Sequence, residues 1–175
     1  MVIHDVVASL RPLAAKNENE LDVSCEPAIL HSDETRVRQC LFNLIGNACK
    51  FTRGGRVLVH VERESGVDGD WYRIRISDSG IVITREQLAG LFTAFRQGDA
   101  ATMRKFGGSG LGLTISRALC RMMGGDITVE SVAGHGSTFT MRIPESITAN
   151  GKGLKSLRRT TAWQGWRARW PTCPT

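Results

Sequence analysis

Between Val2 and Ala15 the apolar residues Val2, Val6, Val7, Leu10, Leu13 and Ala14 recur at helical spacing, and after the polar NENE turn the LDVSC run reads as a short strand closed by Pro27. From Ser32, a good N-cap with Asp33 and Glu34 in the first turn, the pattern predicts a long helix to about Phe51 that stops at Arg53-Gly54-Gly55. Its apolar stripe is Val37, Cys40, Leu41, Leu44, Ile45 and Ala48. Two alternating runs, GRVLVHVERE and WYRIRISD, flank the turn-rich SGVDGD and read as a hairpin. Thr84 caps a short helix, REQLAGLF, and residues 96–108 carry no sustained apolar period, as in a mobile loop. Helical spacing returns from Ser109 to Met123 through Leu111, Leu113, Ile115, Ala118, Leu119 and Met122, ends at Gly124-Gly125, and gives way to a second hairpin, DITVESV and GSTFTMRI. This order predicts an α+β two-layer sandwich, with a mixed, largely antiparallel sheet covered on one face by helices. Strict strand–helix alternation, the mark of a doubly wound fold, is missing.

Composition fits one domain: 175 residues, 41% hydrophobic and 23% charged, which excludes a largely disordered or membrane-embedded chain. The apolar runs are too short to span a bilayer and MVIHDVVASL has no basic stretch ahead of an apolar core, so a cytoplasmic protein is expected. Lys and Arg number 23 against 17 Asp and Glu, an excess of +6 that invites a nucleic-acid or anionic-membrane reading. The whole excess lies in residues 146–175, as Lys152, Lys155, Arg158, Arg159, Arg167 and Arg169 without one acid. A neutral folded domain over residues 1–145 and a basic tail over 146–175 are therefore expected, with no nucleic-acid binding by the folded part. Trp163, Trp166 and Trp170 in the tail are spaced 3 and 4 apart; a disordered extension is expected there, which as a transient helix could touch an anionic surface. The five Cys have no C-x-x-C spacing, and His4, His31, His60 and His135 show no metal-ligand spacing, which fits reduced thiols and no structural metal.

Three places carry candidate chemistry. On the long helix Arg36, Asn43, Asn47 and Lys50 line a second face; two Asn, poor helix formers, are unusual on a merely solvated surface, and amide oxygens suit Mg²⁺ while a lysine suits phosphate. Asp78, where a strand becomes a loop, could cap a turn or accept a hydrogen bond from an exocyclic amine such as that of adenine, and both readings stay open on the residues alone. Gly107 to Leu113 leads four glycines into a helix whose first-turn amides are unpaired, an arrangement that binds phosphate, and it matches neither a P-loop nor a dinucleotide fingerprint.

Asn43-Leu-Ile-Gly-Asn47-Ala-Cys-Lys50-Phe51-Thr52 resembles the N box of sensor histidine kinases, Asp78-Ser-Gly80 their first glycine box, Phe92-Thr-Ala-Phe95 their F box, and Gly107 to Leu113 their second glycine box. Gly134-His-Gly136-Ser137-Thr138-Phe139 matches the closing strand of the same domain, so that five motifs in order span residues 1 to about 145. The resemblance implies a GHKL-type fold with a mobile ATP lid at about residues 93–110, and ATP and Mg²⁺ as cofactors. It implies that Asn47 with Asn43 holds the metal, that Lys50 meets phosphate, and that Asp78 beside Gly80 reads adenine. Gly108, Gly110 and Gly112 would admit phosphate to the backbone, with Leu111, Phe95 and Thr138 nearby, and Arg104 and Lys105 would be phosphate contacts. Hydrolysing members of the group carry a Glu where Asn43 stands; an amide cannot act as that base, so phosphoryl transfer to a protein histidine is implied over hydrolysis. The implied partners are a histidine-bearing dimerisation domain, in the same parent protein or in trans, and a downstream response regulator.

Two departures bear on activity. Val82 replaces the second glycine of Asp-x-Gly-x-Gly; if that glycine sits at positive φ or lets the backbone approach the nucleotide, the valine carries strain of about 1–3 kcal/mol and intrudes on the pocket, equivalent to about fivefold to hundredfold weaker ATP binding, whereas at negative φ with the side chain outward the loss is negligible. His4-Asp5, with Pro12 beyond, has the phosphoacceptor pattern, yet three preceding residues are too few for a helical hairpin, so the substrate helix pair is expected to be separate. The alternative reading is a degenerate nucleotide-binding or scaffold module with weakened or no turnover.

Overall fold

The computed structural model describes residues 2–25, 30–66, 69–93 and 111–145. The elements, in chain order, are α1 (Val2–Lys16), β1 (Glu20–Cys25), α2 (Glu34–Phe51), β2 (Arg56–Gly66), β3 (Gly69–Asp78), α3 (Arg85–Gly90), α4 (Gly112–Met122), β4 (Asp126–Val132) and β5 (Gly136–Pro144). The expected strand closure at Pro27, loop at 96–108 and tail at 146–175 lie outside the described residues.

The strands form one sheet in the order β1-β2-β3-β5-β4, with β1 parallel to β2 and every other pairing antiparallel. This is the expected mixed α+β sandwich. Alternation decides which side is which: Val57, Val59, Val61, Tyr72, Ile74, Ile76, Phe139, Met141 and Ile143 are buried towards the helices. Their neighbours Glu62, Arg73, Arg75, Glu64 and Arg142 form an ion-pair network on the opposite face, where Arg142 also lies 4.3 Å over the Trp71 ring.

α2 crosses the sheet at its centre. Its stripe of Leu41, Leu44, Ile45, Cys40 and Cys49 is fully buried, each large aliphatic contributing about 1.5–3 kcal/mol by its removal from water. α1 covers one flank with Ile3, Val6, Val7, Leu10 and Ala14, and α4 covers the other.

Two details differ from expectation. The N-cap of α2 is Asp33, whose carboxylate accepts from the Arg36 amide at 3.1 Å, while the Ser32 hydroxyl turns away to Met123 Sδ at 3.3 Å. On α4 the buried residues are Ser116 and Cys120, followed by Met123, whereas Ile115 and Met122 are 44% and 61% exposed. Small side chains face α2 because the two helices meet closely there, with the Cys40 thiol 3.4 Å from the Ser116 carbonyl. No helix among the described residues is long and apolar enough to cross a membrane.

Candidate nucleotide site

Burial of one α2 face leaves a second, flanking face on which Asn43, Asn47 and Lys50 stand a turn apart, all half-buried. The Asn43 amide donates to Ser116 Oγ at 2.9 Å, and its Oδ1 lies against Gly112, where a Cβ would come within 2.5 Å of it. Close approach of α4 to α2 therefore requires glycine at position 112. No hydrogen bond to the Asn47 side chain is present among the described residues, and Lys50 Nζ lies 5.4 Å from the centre of the Phe51 ring.

At the far end of α2, Asp78 closes β3 opposite Ser137 of β5 and is 7% exposed. Burial raises its pKa, opposed by the backbone amides of Gly80 and Ser137 and by the nearby Thr52 hydroxyl. The Gly80 amide donates to Asp78 Oδ1 at 3.0 Å. Gly80 itself has no room for a side chain: a Cβ would stand 2.5 Å from the Phe51 carbonyl oxygen, 2.7 Å from Thr52 Oγ1 and 3.0 Å from Asp78 Oδ1. Thr52 Oγ1 is buried without a well-formed hydrogen bond, although it is near enough to the carboxylate to favour its charge. A buried carboxylate has acceptor capacity beyond the bond from Gly80, which an amine-bearing ring could use.

The phosphate end has matching features. The N-cap of α4 is Leu111, whose side chain makes no capping hydrogen bond, and among the described residues Thr114 Oγ1 is a second buried hydroxyl without a partner. From Asn43 to Phe51 the helix rises about 12 Å, which separates the Asp78 corner from the start of α4. No group of three or more His, Cys, Asp or Glu among the described residues is placed to hold a metal ion. The amide oxygens of Asn43 and Asn47 on α2 are hard donors of the kind Mg²⁺ accepts alongside phosphate oxygens.

The structure thus brings Asn43, Asn47, Lys50, Leu111 and Gly112 together on one side of α2, and Asp78 and Gly80 at its end. Phe95, Arg104, Lys105, Gly108 and Gly110 lie outside the described residues. The other expected F-box aromatic, Phe92, stacks under the Arg117 guanidinium at 4.6 Å, and Arg117 is held by a bidentate pair to Asp126 at 2.8 and 3.0 Å.

Thr138 is corrected: its side chain sits on the ion-paired face of the sheet, 3.0 Å from the Ser77 hydroxyl, because it alternates with the buried Phe139. The β5 hydroxyl on the side of Asp78 belongs to Ser137, 4% exposed and 3.0 Å from Ser131 Oγ. Ser131 accepts from the Ile83 amide at 3.0 Å, so this hydroxyl pair braces residues 79–83. Ser137 could have been found from the period-two pattern it shares with Phe139 and Met141; Ser116 was visible as a hydroxyl within a helical stretch, with no local sign of its partner.

Val82, within the braced segment, is free of the expected strain. Glu18 is the single non-glycine residue at positive φ among those described, and Val82 is 39% exposed.

Residues 32–147 match the family model described as histidine kinase-, DNA gyrase B-, and HSP90-like ATPase. The chain is 42% identical over 146 residues to sensor histidine kinase AruS of Pseudomonas aeruginosa, covering 81% of this chain and 15% of that protein. It is 36% identical over 167 residues to sensor histidine kinase RcsC of Escherichia coli, covering 93% of this chain and 17% of that protein. It spans under a fifth of the length of these curated relatives. Among solved structures, full-length ShkA in complex with AMPPNP superposes with a TM-score of 0.68 at 32% identity, over 82% of this chain and 29% of that one. The catalytic domain of histidine kinase ThkA superposes with a TM-score of 0.69 at 23% identity, over 83% of this chain and 91% of that one, a likeness of fold.

Proposed function

The chain belongs to the histidine kinase-, DNA gyrase B-, and HSP90-like ATPase family, and from that premise we propose that it serves a two-component sensor histidine kinase as its ATP-binding catalytic domain. In this reading it transfers the γ-phosphoryl group of ATP to a histidine on a dimerisation domain, from which a response regulator receives it. The observation that carries the reading is the continuous line from the Asp78–Thr52 corner, along the polar face of α2, to the uncapped start of α4.

Asp78 accepts the adenine amine, and Gly80, lacking a Cβ, leaves the carboxylate accessible. Thr52 and Ser137 complete that corner, in place of Thr138. Asn47 holds Mg²⁺ through its amide oxygen; the ion, when bound, neutralises phosphate charge. Asn43 stands beside it with its amide engaged by α4, and Lys50 meets phosphate. The amides of Leu111 and Gly112 approach the same anion, and by the family resemblance Gly108, Gly110, Arg104, Lys105 and Phe95 belong to this site as well. Neither Asn43 nor Asn47 can take a proton, so neither can activate water as a base, which favours transfer over hydrolysis. The catalytic unit is residues 1–145, the tail 146–175 is an appendage, and a domain that consumes ATP works in the cytoplasm, where ATP is supplied.

Incubation of the chain with Mg²⁺, γ-labelled ATP and a separately prepared histidine-bearing dimerisation domain tests this. Acid-labile label on the partner is the expected result. ATP binding without any such label would make the chain a nucleotide-binding scaffold.

A further inference from the structure

We propose that Ser116 is a positioning residue for nucleotide binding: its buried hydroxyl fixes the Asn43 amide, so that α2 and the uncapped start of α4 face one phosphate group together. The proposal rests on the functional reading above and adds a residue to which that reading gives no role. Ser116 is 1% exposed, on a helix face it shares with Cys120 and, beyond the helix end, Met123. A hydroxyl in such surroundings must find a partner, and it accepts from Asn43 Nδ2 at 2.9 Å.

The other half of the amide faces the start of the same helix: Asn43 Oδ1 lies where a Cβ on residue 112 would come within 2.5 Å of it, so glycine there permits the close approach. Rotating the amide would break the bond to Ser116. Asn43 thus braces α2 to α4 through its Nδ2, and Ser116 fixes the direction in which its Oδ1 points. The Leu111 side chain at the N-cap of that helix makes no capping hydrogen bond, and Asn47 stands one turn further along the same face of α2 as Asn43. A serine-to-alanine change at position 116 alters the packing volume little while it releases the brace, which separates this role from a contribution to the core.

The test is titration of the full chain with a ribose-labelled fluorescent ATP, with and without Mg²⁺, for wild type, Ser116→Ala, Asn43→Ala and the Ser116→Ala/Asn43→Ala pair, alongside thermal unfolding without nucleotide. Ser116→Ala is expected to weaken Mg²⁺-nucleotide binding by about two- to tenfold, the loss of one neutral hydrogen bond. With Asn43 already alanine, Ser116→Ala should add no further loss. Wild-type affinity in Ser116→Ala, or an undiminished loss in the Asn43→Ala background, overturns the proposal. So does a loss that the fall in melting temperature fully accounts for. A wild-type chain that binds no ATP analogue overturns the functional reading itself, and the proposal with it.

Discussion

Replacing Val82 by glycine restores the family's Asp-x-Gly-x-Gly spacing, and motif logic alone expects a large gain in ATP affinity from it. A valine forced to positive φ would carry about 1–3 kcal/mol of strain, and its release would tighten binding about fivefold to a hundredfold. The backbone contradicts that logic. Val82 is outside the positive-φ region and 39% exposed, in a segment braced through Ser131 and Ser137, so there is no strain to release. What remains is a cost. Glycine loosens the unfolded chain by about 0.4–1 kcal/mol, and the partly buried valine methyls contribute a similar amount, so a net destabilisation of about 1–2 kcal/mol is expected. For a chain of this size that lowers the melting temperature by about 2–8 °C. Titration with a fluorescent ATP analogue should give dissociation constants within about twofold for wild type and Val82→Gly, since an unstrained position holds no binding energy in reserve. A tenfold tightening, or a rise in melting temperature, would refute the reasoning and return Val82 to the role of a defect in the pocket.

Gly80→Ala is expected to fail at both binding and stability, because its Cβ meets the Phe51 carbonyl at 2.5 Å and Thr52 Oγ1 at 2.7 Å; about 1–3 kcal/mol of overpacking should appear in thermal unfolding, together with lost ATP-analogue binding. Asp126 gives a pH signature. Hydrogen bonds from Arg117 first, then Arg121, hold its carboxyl well below the usual range, so its contribution is present above the unfolded pKa of about 4 and is lost as pH falls towards the depressed folded value. Melting curves taken from about pH 5 down to about pH 2 should therefore fall more steeply for wild type than for Asp126→Asn. With the side chain 39% exposed, solvent screening keeps the difference small and added salt should shrink it further; parallel curves for the two proteins would count against the ion pair.

Where one element buries one face of its own, the sequence pattern was enough. The stripe Val37 to Ala48 predicted α2, and alternation predicted both hairpins, because burial against a single sheet imposes a single period. Position 138 shows how near the limit lies: Thr138 sits in the right motif, yet the pleat turns it from Asp78 and turns Ser137 towards it, as the alternation with Phe139 already implied. α4 is harder, since Leu113, Ser116, Cys120 and Met123 follow helical spacing as well as Ile115, Ala118 and Met122 do, and the more apolar row is the exposed one. Hydrophobicity gave the wrong answer there because close helix contact selects small side chains, and the reason for that contact is Asn43, distant in sequence. The same contact distinguishes the two asparagines that the motif pairs: the Asn43 amide nitrogen is bonded to Ser116 of α4, whereas no described residue hydrogen-bonds to the Asn47 side chain. Their surroundings differ on one helix face because a serine distant in sequence stands opposite only one of them.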